Sequence, residues 1–126
     1  MRAVDMNILV RLFSRDDPQQ LAAAEAFISK GAWVSTVVLA ETSWVPGSMY
    51  GLGDDQIATV VEMLLSHEHL SLQDPEVISA ALERFRAAPS PGFTDCLILE
   101  VARKAGHLPL GTFDKRLSRI DGAERL

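Results

Sequence analysis

Four acidic residues lie in segments of the chain that are otherwise apolar. They are Asp5, Glu41, Asp95 and Asp114, and each has aliphatic or aromatic residues close to it in sequence. A carboxylate in an apolar setting is costly to bury alone, so such groups normally have a cationic partner. Oxygen ligands suit Mg²⁺ or Mn²⁺, and a bound divalent metal lowers the pKa of its water. The four acids are therefore candidate ligands of a divalent metal, or else ordinary helix-cap and salt-bridge residues.

Strands and helices alternate along the chain and must position these acids. Short strands are expected at residues 3–5, 33–36, 69–72 and 108–111. Helices are expected after caps at Asn7, Asp17 and Thr94, from Val37 onward, over residues 55–66, and from Asp74 through Phe85. Residues 46–47, Pro-Gly, should bend or end the helix that begins at Val37.

This alternation predicts an α/β fold with a parallel sheet and helices on both faces. The chain has 126 residues, no internal repeat and no interdomain linker, so a single domain spanning residues 1–126 is expected. Ligands of such sheets bind beyond the carboxyl ends of the strands. Asp5 and Asp114 are expected at that edge.

The net charge of −5 argues against a protein that binds nucleic acid through a general basic surface. The objection is partial, because acids that hold metal add negative charge that bound cations would cancel. Half of the 12 basic residues lie between Arg103 and Arg125. They could form a local phosphate-facing patch or an ordinary solvated surface.

Two further features concern the compartment. No apolar run is long enough for a membrane helix, and Asp5 stands where a signal peptide would be apolar, so a cytoplasmic protein without membrane contact is expected. The single cysteine, Cys96, cannot form an internal disulfide and is most simply a small core residue.

Four segments together resemble the successive acidic motifs of PIN-domain nucleases, in particular the VapC toxins of bacterial toxin–antitoxin pairs. The segments are VDMNILV at 4–10, LAETSWV at 39–45, FTDCLI at 93–98 and TFDKRL at 112–117. The resemblance implies a three-layer α/β/α sandwich on a parallel sheet. It also implies an endoribonuclease, dependent on Mg²⁺ or Mn²⁺, that hydrolyses RNA phosphodiester bonds.

The resemblance carries Asp5, Glu41, Asp95 and Asp114 over as metal ligands and catalytic residues. Asp5 would be the central ligand and Asp95 its close partner, while the other two acids would bind metal or orient its water. Two further side chains, Asn7 and Thr112, are candidates to hydrogen-bond a carboxylate, or else simple cap or turn residues.

The resemblance also implies partners. These are an RNA substrate, a second copy of the chain in a homodimer, and a cognate antitoxin protein. The expected partner surface consists of apolar residues on the first helix and the bent one: Leu12, Phe13, Trp44, Val45, Met49 and Tyr50.

The chain departs from the family pattern at three places. Met6 stands where the family usually has a Thr or Ser, Gly92 stands where an acid is frequent, and Pro46 interrupts a helix. A thioether accepts hydrogen bonds only weakly, so Met6 predicts weakened activity. One alternative is therefore a PIN-fold binding module that keeps the partner surface and has lost efficient catalysis. A second is a receiver-like phosphoacceptor domain, which a helical acid at Glu41 fits badly.

Overall fold

The computed structural model describes residues 1–44, 49 and 51–126. The predicted break at Pro46 and Gly47 lies outside the described residues, as do Val45 and Tyr50. Two compact units divide the chain, one over Met1–Pro75 and the other over Glu76–Leu126. The single-domain expectation stays a prediction.

The described residues form six α-helices, five β-strands and one 3₁₀ turn. In chain order they are β1 Arg2–Ala3, α1 Met6–Ser14, α2 Pro18–Ile28, β2 Ala32–Val34, α3 Thr36–Trp44, α4 Asp54–Ser66, β3 Leu70–Leu72, α5 Pro75–Ala87, α6 Phe93–Ala105, β4 Leu110–Thr112, the 3₁₀ turn Leu117–Arg119 and β5 Ala123–Arg125. No helix in this described part of the chain is long and apolar enough to cross a membrane.

The first unit holds a three-stranded parallel sheet in the order β1-β2-β3. Ala32 at the start of β2 pairs with Arg2 on one side and with Leu70 on the other. In the central strand, Ala32 and Val34 are buried while Trp33 is 39% exposed, so the strand alternates between an inner and an outer face. The predicted parallel sheet is confirmed here.

Helix α2 of the first unit starts at a short polar side chain. The Asp17 carboxylate accepts a hydrogen bond from the Gln20 amide at 3.0 Å, and Pro18 occupies the first helical position, as predicted. Along α1, Leu9 and Leu12 are buried, and α1 packs against both α2 and α3. The sequence predicts an apolar stripe on α4 made of Ile57, Val60, Val61, Leu64 and Leu65. Of these, Val61 and Leu64 are buried, together with Ala58, and the other three are half-buried.

The second unit pairs two helices with a second, two-stranded parallel sheet. Phe85 of α5 and Phe93 of α6 meet edge to face, with their ring centroids 5.9 Å apart. Strands β4 and β5 pair from Leu110 opposite Ala123 to Thr112 opposite Arg125. Gly106 ends α6 in the left-handed conformation, at φ 82°, which glycine adopts without a Cβ clash.

Several predicted boundaries are wrong for a common reason. Asp5 and Ser35, assigned to strands, instead cap the helices that follow, so β1 and β2 end earlier than expected. Asn7 and Thr94 were expected as caps, but each is the second residue of its helix, after the caps Asp5 and Gly92. β4 also begins two residues later than predicted, and Pro109 lies outside it.

The expected partner surface is only partly exposed. Leu12 and Met49 are 5% and 6% exposed and belong to the core, and Phe13 is half-buried. Trp44 is 74% exposed. Among the described residues of the predicted apolar surface, Trp44 is therefore the one whose side chain is mostly exposed to solvent.

Candidate functional site

Asp5 sits at the start of α1, two residues beyond β1. Its Oδ1 accepts hydrogen bonds from the amides of Asn7 at 3.0 Å and Ile8 at 3.3 Å. These amides are among the unpaired donors of the first helical turn, where the helix dipole also favours an anion. The carboxylate of Asp5 is fixed by these hydrogen bonds, and because Asp5 is exposed it remains open to solvent.

Glu41 lies on the outer face of α3. Ser35 starts this helix by accepting a hydrogen bond from the Val38 amide at 3.0 Å. Leu39 and Thr42 are fully buried and fix which face of α3 turns inward. Glu41 is exposed, as are Val37 and Trp44, which lie on the same face at helical spacing.

Asp95 is in the first turn of α6. Phe93, Cys96 and Leu97 around it are buried, whereas Asp95 itself is partly exposed. Burial, together with the negative charge of Asp114, raises the pKa of the Asp95 carboxyl above its ordinary value, although Arg116 acts in the opposite direction.

Asp114 follows β4 by two residues and opens the 3₁₀ turn. Its Oδ1 accepts hydrogen bonds from the amides of Leu117 at 3.2 Å and Arg116 at 2.7 Å, and these hold the pKa of Asp114 below its ordinary value. The Arg116 side chain approaches the same oxygen at 3.8 Å. Asp114 is therefore ionised and fixed by backbone donors, in the same way as Asp5.

Asp95 and Asp114 both belong to the second unit, and the negative charge of Asp114 contributes to the raised pKa of Asp95. Asp5 and Glu41 belong to the first unit. Within residues 1–44, 49 and 51–126, no group of three or more His, Cys, Asp or Glu side chains is placed to hold a metal ion. The Asp95–Asp114 pair nevertheless fits Mg²⁺ in donor type, because that ion is commonly held by one or two carboxylates with waters and substrate phosphates.

The PIN domain family model matches residues 3–123 of the chain. The chain belongs to the PIN domain family. A search of curated proteins found no match, and neither did a search of solved structures.

Membership of this family confirms the predicted α/β/α fold class with a parallel sheet. PIN domains are generally nucleases that bind nucleic acid and use divalent metals. Because the matching family model is that of the PIN domain, the match does not support the receiver-like alternative. All four candidate acids lie inside the matched range.

The two predicted supporting residues of the PIN domain contact the acids through the backbone. The Asn7 amide, not its side chain, donates to Asp5. Thr112 Oγ1 accepts from the Asp114 amide at 3.0 Å and so orients the main chain that carries the carboxylate. Met6 is the first residue of α1 and is half-buried.

The acid that is buried was not among the predicted four. Glu100 of α6 is 4% exposed and accepts hydrogen bonds from Arg84 Nε at 2.5 Å and Arg103 Nε at 2.8 Å. Arg103 Nη2 also donates to the Asp121 carbonyl at 2.5 Å. The spacing of Glu100 and Arg103, three residues apart on one helix, is the signal that could have found this pair.

Gly122 lies against the same guanidinium group. A Cβ at this position would be 2.8 Å from Arg103 Nη2, and the φ of Gly122 is +100°, so a side chain here would strain the backbone and displace the guanidinium group. Arg103 thereby ties α6 to the residues that lead into β5.

A groove of about 640 Å³ lies in the first unit, between α1 and α4. Its lining includes Val10, Phe13, Leu52 and Val60, and none of the four candidate acids is among the described residues that line it.

Proposed function

We propose that this PIN domain is a divalent-metal-dependent endoribonuclease that acts as the toxin of a toxin–antitoxin pair in the cytoplasm. The observation that carries the nuclease part is Asp95 within a chain of a nuclease family: burial, and then repulsion by the charge of Asp114, raise the pKa of its carboxyl. A bound cation relieves that repulsion. The four motif segments that resemble VapC toxins support the toxin assignment.

Asp5, Glu41, Asp95 and Asp114 are proposed as the metal ligands and catalytic residues, with Mg²⁺ or Mn²⁺ as the ion. The family membership and the oxygen donors of all four side chains support this set. A divalent ion supplies a more acidic water and neutralises charge on a phosphodiester.

The contribution of the protein itself is to hold the carboxylates still. Backbone amides fix Asp5 and Asp114 through Oδ1, and each carboxylate has a second oxygen that can face a cation. Fixed ligands need little reorganisation when substrate binds, which favours the transition state. Asn7 supports Asp5 through its backbone amide, and Thr112 supports Asp114 by accepting a hydrogen bond from the Asp114 amide.

A homodimer and a cognate antitoxin are proposed as protein partners. Support comes from the outer face of α3, where Val37 is 77% and Trp44 is 74% exposed. Large apolar side chains on one helix face are typical of surfaces that bind another protein. The acidic site adds a route for inhibition, because a basic side chain from an antitoxin could neutralise it.

The alternative function is a PIN-fold binding module with weak catalysis. Met6 favours it, since no hydroxyl stands next to Asp5 to orient a carboxylate or a water. In that case the chain would bind metal, RNA and its protein partners without cleaving RNA efficiently.

The deciding experiment measures RNA cleavage in the presence of Mn²⁺ and of a chelator. Asp95→Asn and Asp5→Asn keep the side-chain shape and remove the charge. Each should lower the rate by about 100-fold or more, because even outer-shell partners of metal ligands contribute about 10–100-fold. Asp55→Asn, an exposed aspartate on α4, is the matched control and should cleave like the wild type.

Two results would contradict the proposal. Cleavage by Asp95→Asn at the wild-type rate would remove the assigned site. A wild type that binds Mn²⁺ and RNA but leaves the RNA intact would establish the binding-module alternative.

A further inference from the structure

An aromatic side chain stands in solvent next to a proposed metal ligand. Phe113 lies between β4 and Asp114, and 81% of its surface is exposed. Burial of a phenyl ring is favourable, so a ligand that covers Phe113 would gain free energy. The position of Phe113 therefore calls for an explanation.

The backbone around this ring is held firmly. The Asp114 amide donates to Thr112 Oγ1 at 3.0 Å, and the Ser118 amide donates to the Asp114 carbonyl at 3.0 Å. Leu117, at the other side of the turn, is 5% exposed and anchors it. We call residues 113–119 the Phe113 turn. A ring presented by a fixed backbone loses little conformational freedom when it contacts a ligand.

The surroundings of the ring are basic. Lys115, Arg116 and Arg119 of the Phe113 turn are all exposed. Arg125 of β5 is exposed too and pairs in register with Thr112, directly before the ring. Residues 110–126 contain four basic and three acidic residues, whereas the whole chain contains 12 and 17. This end of an acidic protein is suited to an anionic ligand.

We infer that the Phe113 turn binds single-stranded RNA beside the phosphate that is cleaved, with Phe113 stacked on a nucleobase and Lys115 and Arg116 contacting neighbouring phosphates. The inference rests on the proposed function. Every base has a face on which an aromatic ring can stack, so the contact tolerates different sequences. In a duplex those faces are covered, which restricts the ligand to single strands and loops.

RNA fits this surface better than a protein does. The nearest neighbours of Phe113 in the turn are Asp114, Lys115 and Arg116, all charged. The cores of protein interfaces are depleted in Lys and Asp. An aromatic ring near basic residues is typical of surfaces that bind single strands, where bases stack on the ring and the basic groups contact phosphates.

The test measures binding of a fluorescein-labelled, mixed-sequence single-stranded RNA of about ten nucleotides by fluorescence anisotropy. Measurements are made with Mn²⁺ in an Asp5→Asn background that slows cleavage. Phe113→Ala should weaken binding about tenfold, equivalent to about 1.4 kcal/mol. Phe113→Trp keeps a stacking face and should stay within about twofold of the parent. Val101→Ala is the control, because it removes another exposed apolar side chain of this unit, one that is 43% exposed.

Two further measurements test the ligand class. Lys115→Gln should reduce the slope of log affinity against log salt by about 0.7, the value for one phosphate contact on a single strand. The same RNA as a duplex should compete poorly with the single strand.

Specific outcomes would overturn the inference. Unchanged affinity of Phe113→Ala, or an equal loss in Val101→Ala, would show that the ring does not stack on RNA. If Phe113→Ala alters sedimentation but not RNA affinity, the ring belongs to a protein interface. If Phe113→Ala binds RNA with normal affinity and still cleaves it, the inference about the ring fails and the proposed function stands. If the wild type does not cleave RNA but its binding depends on Phe113, only the proposed nuclease function fails.

Discussion

Glu100 offers the sharpest test of how the second unit is held together. The perturbation is Glu100→Gln, which preserves the shape of the side chain and removes its charge. In the wild type, one buried carboxylate accepts from two guanidinium groups, Arg84 at 2.5 Å and Arg103 at 2.8 Å. A glutamine offers one accepting oxygen, and its NH₂ group would point a donor at the other arginine.

The magnitude follows from burial. The Glu100 side chain is 5% exposed, so water cannot replace a lost partner, and breaking a buried ion pair costs about 3–5 kcal/mol. The two arginine side chains are 34% and 32% exposed, so solvent offsets part of their loss. We expect a destabilisation of about 2–4 kcal/mol. At roughly 4 °C per kcal/mol for a chain of this size, the melting temperature should fall by about 8–16 °C.

The pH dependence gives an independent signature. Burial opposes ionisation of Glu100, but hydrogen bonds from Arg84 and Arg103 outweigh it and hold the pKa of Glu100 below its ordinary value. A depressed pKa contributes stability that is full above the unfolded pKa of about 4.3 and is lost as the pH falls through the folded pKa. The difference between wild type and Glu100→Gln should therefore shrink below about pH 4.3.

Urea denaturation followed by circular dichroism at several pH values measures both effects. Glu83→Gln is the matched control: Glu83 is exposed and lines the same cleft of about 310 Å³ as Arg84 and Glu100. It should change stability by less than about 0.5 kcal/mol. A Glu100→Gln variant as stable as this control at neutral pH would refute the argument, as would a deficit that stays constant into acid.

Three further predictions concern the proposed site and partners. Millimolar Mn²⁺ should raise the melting temperature of the wild type, and should raise that of Asp95→Asn by less. A ligand present at about 100 times its Kd stabilises the folded state by about 2.7 kcal/mol. An unchanged melting temperature of the wild type would count against the site. Met6→Thr should raise the rate of RNA cleavage while the circular dichroism spectrum stays the same, because a hydroxyl would then stand next to Asp5. An equal or lower rate would show that Met6 does not weaken catalysis. In sedimentation, the wild type should be a dimer and Trp44→Glu a folded monomer. A monomeric wild type at micromolar concentration would contradict the proposed dimer.

Much of the fold follows from local chemistry that a sequence displays. Helix α4 was predicted to within a residue, because its apolar spacing and the preceding Gly53 act over neighbouring positions. Gly106 likewise marks the end of α6. β5 was missed, because Ala123–Arg125 has no apolar run and its place depends on pairing with β4, a contact that local pattern does not encode.

The site was less accessible to sequence reasoning than the fold. All four predicted acids were expected in partly desolvated settings, yet Asp5 and Glu41 are exposed. An apolar neighbour in sequence does not determine burial, because a cap residue such as Asp5 turns its side chain back to the helix end. The exposure of Phe113 was also missed, since it depends on how the turn after β4 folds.

Helix α6 shows how the same chemical group takes two roles within five residues. Glu100 faces two fixed arginines that satisfy its charge, which makes it a structural anchor with a lowered pKa. Asp95 faces burial and the negative charge of Asp114, with Arg116 as a weaker opposing influence, and its pKa is raised. One end of the helix is electrostatically satisfied by the protein, and the other gains from an added cation. Because Arg103 also holds the Asp121 carbonyl, the satisfied end links α6 to the strand pair that carries Asp114. The anchor thereby holds α6, which carries Asp95, to the strand pair that Asp114 follows.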